Sequence, residues 1–487
     1  MRELLTTIIT VLTVSTLVFS QSDEYNRYVV GIHFDSDISG GYFSPEKLVE
    51  FAIENELDAI IFCDHDRMSV EYGIPPLRNL IKKRVEYPSI LTHGPDNYLK
   101  TLDSLQQNNP QLSIIPGAEV APAYYWVGNI FEKNLELFNW HQHMMVIGLE
   151  DPADYHAFPS SAANIRQGYD TRLYFDIAAV VGVLVGLLLF RKVVTKTMQF
   201  SSGQLIKVRR RPFKFTGILL TIFCIALLIN DYPFTARLYS PYGGDPNPEA
   251  TQALIDYVLE RNGLVYFAHP EAEFHDEFSG IEVRTEPYTN LLPETDNYTG
   301  FAVFGEGFHR AGIPGGEWDK TLNQYIDGRR ENPTWAIGEV DFEGDLPAEC
   351  IKEVSTFVWA KENTKEAVLD ALAKGRCYSA QIYGPKFIWL DEWNIAAPSG
   401  EVSISGETLN ADSSVTLHFN FTAAEDKSDF EALILRNGVQ LSAAAFDEST
   451  QIDFEDTPLQ GKSYYRLWVL YRGYPVLAAN PIFVNRL

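Results

Sequence analysis

Cysteine is scarce and unpatterned: Cys63, Cys224, Cys350 and Cys377 are the four in 487 residues, and none sits in a C-x-x-C spacing. That excludes a zinc ribbon and a disulfide framework, and leaves one pairing open, Cys350 with Cys377 in an oxidising compartment. Basic residues are also few. With 39 Lys and Arg against 65 Asp and Glu the formal charge is −26, and a surface without a basic footprint excludes nucleic acid as a partner. No internal repeat and no low-complexity segment is present, so the chain reads as globular domains plus apolar runs.

Those apolar runs are few, and their order matters. Residues 4–20 are apolar or hydroxyl-rich after a lone Arg2, which reads as a signal peptide or N-terminal anchor over residues 1–22. Leu173 to Phe190 holds Asp176 as its sole charge, and Phe215 to Ile229 holds none. Each is at the short end for a membrane span, with Tyr174, Tyr232 and Phe234 available to extend it into the interface. For either run alone, a buried core helix is the competing reading. Between them lie Arg191, Lys192, Lys196, Lys207, Arg209, Arg210, Arg211 and Lys214 with no acid at all. By the positive-inside rule that loop is cytoplasmic, which puts the chain on both sides of it outside the membrane. A secretory N-terminus demands the same topology, so residues 172–232 are expected to form a transmembrane hairpin in a multi-pass cell-membrane protein.

What the chain has in plenty is buried-strand patterns that end at, start at or flank a His, Asp or Glu. Val29–Ile32 runs into His33-Phe34-Asp35, Ala59–Cys63 into Asp64-His65-Asp66, and Ile114–Ala118 into Glu119. His143 opens Met144–Ile147, Leu264–Ala268 reaches His269, Gly280-Ile281 leads to Glu282, and Trp335–Gly338 precedes Glu339, Asp341 and Glu343. Parallel strands closed into a barrel bring such ends to one mouth, and imidazoles with carboxylates in one mouth are what divalent metals bind.

Residues 25–171 and 233–390 both alternate strands with helices, so the hairpin reads as an insertion into one α/β domain. Ser44-Pro45 opens a helix as N-cap and first-turn proline, and Thr364-Lys365-Glu366 opens another that stops at Gly375. Beyond Pro385 the period changes to two: Val415, Leu417, Phe419 and Phe421 alternate with polar residues, and Asn437-Gly438 is a hairpin-turn pair. Residues 391–487 are therefore expected to be a small antiparallel β-sandwich.

His33-x-Asp35, the Asp64-His65-Asp66 block, Gly117-x-Glu119, Ala268-His269-Pro270 and the closing Gly375-Arg376-x-Tyr378 together resemble the PHP (polymerase and histidinol phosphatase) domain family. The resemblance covers residues 28–150 and 250–386. It implies a distorted seven-stranded β/α barrel that holds up to three divalent ions (Mn, Zn or Fe, with Mg as a further option) and hydrolyses phosphoesters. By motif, the metal ligands would be His33, Asp35, Asp64, His65, Glu119, His143, His269, Asp341 and Glu343, with His33, His65, His269 and Asp341 closest to the chemistry. Asp64 has a second reading, as a residue that orients a neighbour, and His141 could replace His143.

Three departures weaken the match: Asp35 and Glu343 stand where the family has His, and Gly40 where it has Asp. Asp37 is the nearest acid to fill the Gly40 gap. More carboxylate and less imidazole shifts preference from zinc toward manganese, iron or magnesium. The expected function is a membrane-tethered metal-dependent hydrolase of phosphoesters, acting outside on a phosphorylated small molecule or envelope component. The competing reading is a degenerate PHP domain serving as a metal- or ligand-binding surface module.

Overall fold

The computed structural model describes residues 25–486 apart from 164, 171, 279, 345, 383–386, 424–428 and 447. The signal or anchor expected over residues 1–22 lies outside the described residues.

The architecture is mixed α/β. Strands β1 (Asn26–Phe34), β2 (Ala59–Phe62) and β3 (Ser113–Ile115) pair in parallel, each a short apolar run buried on both faces. A second sheet holds β4 (Gly117–Val120), β5 (Met144–Ile147), β6 (Leu264–Phe267), β7 (Gly300–Phe304) and β8 (Trp335–Gly338), in the order β8-β7-β6-β5-β4. Strands β9 (Val354–Ala360) and β10 (Cys377–Gln381) extend the first sheet antiparallel beyond β1.

The two sheets touch through isolated bridges, Phe34 with Phe342 and His65 with Glu119, and Gly338 N donates to Thr356 Oγ1 at 2.8 Å. They share one interior core of Val30, Ile32, Ile61, Ile115, Met145 and Tyr266. The expected ring of seven strands is thus two sheets closed on a common core, not one continuous ladder, and β5 runs antiparallel to both neighbours. Sequence patterning missed β7. It placed Ile281 in the ring instead, whereas Ile281–Thr285 belongs to a separate four-stranded sheet and Glu282 is bound to Arg284 at the surface.

The outer faces carry α1 (Pro45–Glu54), α2 (Pro95–Asn108), α5 (Glu249–Leu259), α6 (Glu317–Ile326) and α7 (Lys365–Ala373). The Ser44 hydroxyl accepts from Lys47 N and the Thr364 hydroxyl from Ala367 N, as N-caps.

Helices α3 (Leu173–Arg191) and α4 (Lys214–Asp231) are long and apolar enough to cross a membrane. Their large side chains point outward: Ile177, Leu184, Leu188, Leu219, Ile222 and Ile229 are all exposed. A core helix would bury that surface. The pair packs closely on small residues, since a Cβ at Gly186 would meet Thr221 Oγ1 at 2.4 Å and one at Gly217 would meet Gly186 O at 2.5 Å. The basic connection is ordered as an antiparallel hairpin, Val194–Gln199 with Leu205–Arg210.

The C-terminal strands do not form a separate sandwich. Tyr474–Ala479 pairs with β10 (Tyr378 opposite Ala479, Ala380 opposite Leu477), so the first sheet runs on into this region. A four-stranded sheet covers that extension, burying Trp393, Phe419 and Phe421 against Phe357, Tyr378 and Leu467. Val415, Leu417, Phe419 and Phe421 are buried in alternation as the period of two requires, and Asn437-Gly438 makes the tight turn with both φ positive. Arg466 from these strands reaches Asp319 on α6, both fully buried, and two of its nitrogens donate to the carboxylate. All four cysteines are free, so Cys350 and Cys377 are not bridged.

Candidate metal centre

Strand ends deliver the site. At the end of β1 the ladder to β2 slips between Ile32 and Phe34, and this bulge aims His33 inward with φ at +74°. His269 and Asp341, just past β6 and β8, also have positive φ (+24° and +49°). Each such conformation costs about 1–3 kcal/mol and persists where surrounding packing fixes it, as at active sites. β4 approaches closely because Gly117 has no side chain: a Cβ there would lie 2.5 Å from Phe62 O.

Glu119 is the hub. Its Oε1 lies 2.7 Å from His143 Nδ1, 3.1 Å from His269 Nε2 and 3.5 Å from His33 Nε2, and its Oε2 lies 2.9 Å from His65 Nδ1. Asp35 Oδ2 and Asp341 Oδ1 approach His33 Nε2 at 3.6 and 3.5 Å. Among the described residues two groups have ligand atoms within 4.8 Å of one another: His65, Glu119 and His143, and His33, Asp35 and Glu119. Both share Glu119, as a carboxylate bridging two cations would.

The nitrogens facing away from the hub are pinned. His33 Nδ1 bonds to Glu339 Oε2 at 2.9 Å, and His143 Nε2 to the Trp140 carbonyl at 3.1 Å. The Tyr288 hydroxyl donates to Ala268 O, and so accepts from His269 Nδ1 at 3.2 Å. Metal-bound histidines are held this way, by a carboxylate or carbonyl on the remote nitrogen.

The pinning has a chemical consequence at His143. A carbonyl only accepts, so Nε2 carries the proton, and burial holds His143 below its usual pKa despite Glu119. Nδ1 lies buried 2.7 Å from a carboxylate oxygen, outside hydrogen-bond geometry. His33 Nε2 is likewise buried without a hydrogen-bond partner. Imidazole nitrogens and carboxylate oxygens converging at these distances in a buried site match the donor set of a divalent metal, so the residues fit one.

Elsewhere in the cluster, protons stand in. Burial works against protonation of His65, but Glu119 outweighs it and raises the ring to about 10. Burial likewise opposes His269, which its bond to Glu119 raises to about 9. For Glu119 burial favours the neutral acid, yet His143, His65 and His33 hold it well below the ordinary carboxylate range.

Not every expected ligand joins. Asp64 is buried but turned away: its carboxylate accepts from Ser36 N at 2.9 Å, and from the Ser36 and Ser39 hydroxyls, so it orders the loop after β1. Glu343 is exposed, and its carbonyl accepts from Tyr42 N. Asp37 is exposed too; Ser39 turns inward, donating to Asp35 and Asp64. His141 stacks on Phe274 with ring centroids 3.9 Å apart, beside the cluster. Arg376, at the end of α7, pairs with Asp370 away from the hub.

Glu339 is the residue that motif matching does not single out. It is fully buried, bonds His33, and accepts from His269 N. Its signal is a carboxylate directly after a four-residue buried strand, the pattern that marks Glu119.

No family model and no curated protein matches this chain. Among solved structures it is similar to a two-domain protein containing a predicted PHP-like metal-dependent phosphoesterase from Bacteroides vulgatus, at 12% identity over 95% of each chain with a TM-score of 0.33. An amidohydrolase from Chromobacterium violaceum, solved with sulfate and no metal, matches at 12% identity over 66% of this chain and 93% of its own, with a TM-score of 0.27. Likenesses this distant bear no weight on function, and the chemistry below rests on the donor atoms themselves.

Proposed function

We propose that this chain is a metal-dependent hydrolase of phosphoesters, of the PHP type, tethered to a membrane by α3 and α4. One observation carries the reading: four imidazoles, those of His33, His65, His143 and His269, converge on the buried Glu119 carboxylate, with His143 Nδ1 2.7 Å from Oε1 while its Nε2 is committed to the Trp140 carbonyl. His65, Glu119 and His143 would hold one cation, and His33, Asp35 and Glu119 a second, with His269 and Asp341 flanking. A bound divalent pair would supply an activated water at neutral pH and offset the charge of phosphoryl oxygens in the transition state.

The protein's own groups prepare that chemistry. Glu339 orients His33, Trp140 orients His143 and Tyr288 orients His269, so each ring turns its other nitrogen toward Glu119. Asp341, 43% exposed at the side chain, stands at the rim where a substrate would enter. Neither Gly40 nor exposed Glu343 supports a third ion.

Those same two positions favour the second reading, a binding module without turnover. The two readings separate on p-nitrophenyl phosphate and bis(p-nitrophenyl) phosphate, assayed with the manganese-loaded full chain. Turnover that His65→Ala and His269→Ala each remove supports the hydrolase. Metal binding with no turnover of either ester supports the module.

A further inference from the structure

The route from the metal centre to the membrane helices is short and made of buried polar contacts. Leaving β2, the chain passes His65 and Asp66 and enters a hairpin, Ser69–Gly73 paired with Lys82–Glu86. Glu71 on that hairpin binds Arg237, six residues beyond the end of α4, at 2.5 Å with both side chains nearly buried. Gly73 N donates to Tyr242 OH at 2.6 Å. At the hairpin tip Asn79 and Leu80 donate through their backbone N–H groups to the side chain of Asn230, inside the last turn of α4, and Asn79 Nδ2 donates to the Asn230 carbonyl. A strand of this length spans about 16 Å, so the hairpin links the strand end that carries His65 to the side of the protein where α4 ends.

Two more features belong to that side. Trp140, whose carbonyl pins His143, packs in a small apolar core with Tyr124, Trp126 and Tyr242, and this core roots both legs of the helical insertion. The hairpin tip bonded to Asn230 exposes Leu80 (46%) and Ile81 (50%), followed by Lys82, which pairs with Glu71, exposed Lys83, and Arg84, which pairs with Glu86. Exposed Tyr174 and Tyr232 mark the same end of the helix pair. Apolar tips with flanking cations at the level of interfacial aromatics suit an anionic lipid surface. Apart from the basic connection between α3 and α4, the chain is rich in acid, which sets this patch apart.

We propose that the mouth faces the bilayer and that the substrate is a phosphoester borne on a lipid headgroup of that same membrane, with Leu80 and Ile81 dipping into the interface beside the spans. The proposal rests on the hydrolase reading. For a lipid phosphomonoester, the oxygen of water joins phosphorus, the phosphorus–oxygen bond to the lipid breaks, and the lipid alcohol departs with a proton.

The test uses the full manganese-loaded chain in phosphatidylcholine vesicles. Dioleoyl phosphatidic acid and phosphatidylinositol 4-phosphate are compared with their dihexanoyl analogues, which stay in water. At least a tenfold higher kcat/KM on one bilayer-borne lipid is expected, and Leu80→Asp with Ile81→Asp should remove that preference while sparing p-nitrophenyl phosphate. Equal rates on bilayer-borne and soluble forms would overturn the lipid proposal and leave the hydrolase intact. If no ester turns over, the hydrolase reading fails. A spin label at Ile81→Cys then decides the geometry against one at Glu56→Cys, which precedes β2 at its opposite end. Relaxation by oxygen is expected at Ile81 and by an aqueous nickel chelate at Glu56, and aqueous relaxation at both would overturn the membrane-facing mouth.

Discussion

His143 Nδ1 lies 2.7 Å from Glu119 Oε1, while Nε2 of the same ring is committed to the Trp140 carbonyl. Hydrogen bonds on the remote nitrogens orient these rings toward the shared carboxylate, so they should tune metal affinity. Glu339→Gln removes the charge that holds His33 Nδ1–H but keeps the shape. It should lower metal affinity by about 10–100-fold, read by titration against a competing chelator. An unchanged affinity would remove Glu339 from the centre.

Metal binding should release protons. Without metal, His65 at about 10 and His269 at about 9 are both protonated at pH 7, and a cation must displace those protons. Calorimetry at pH 7 in buffers of different ionisation heat should therefore report net proton release, to which His33, also raised well above its usual value, adds, with affinity rising as pH approaches 9 to 10. The metal-free protein should show the opposite trend in stability. Raised pKa values mean that pairing with Glu119 contributes fully below the unfolded value near 6.5 and is lost as pH climbs through 9 and 10. Buffer-independent binding heats would contradict this.

Much of this centre is legible in the sequence because metal-grade side chains follow short buried runs, and a strand end fixes where its next residue points. His33 and Glu119 near the ends of their strands, His65 and His269 just past theirs and His143 just before its own all converge. Asp64 misleads because its position after β2 is equivalent, and only the serines after β1 turn it away. Periodicity does not tell which sheet a strand joins, so Ile281 is misplaced and β7 overlooked. The continuous C-terminal sheet is hidden for a related reason: the pairing of Tyr378 with Ala479 is set by edges distant in sequence.

The link between α6 and the C-terminal strands should govern stability. Asp319→Ala leaves the guanidinium of Arg466 buried and uncompensated, which costs about 3–5 kcal/mol, measurable by urea unfolding. The same change at Asp327, whose pair with Arg329 is exposed on both sides, should stay within about 1 kcal/mol. Equal effects would mean that the buried pair does not hold these elements together.

The basic hairpin and the α/β region should lie on opposite sides of the membrane. A cysteine near Ser201 should be protected from an impermeant thiol reagent in intact cells, while one near Ser413 should react. The reverse pattern would sink both the topology and the outward-facing site.

Glu119 belongs to both donor groups and would serve two cations, which a count of metal per chain can decide. Protein loaded with manganese, freed of excess and measured by inductively coupled plasma mass spectrometry should carry two ions per chain, and Glu119→Gln should carry fewer than one. A wild-type chain that retains no metal, or a Glu119→Gln variant that retains the full complement, would contradict the account.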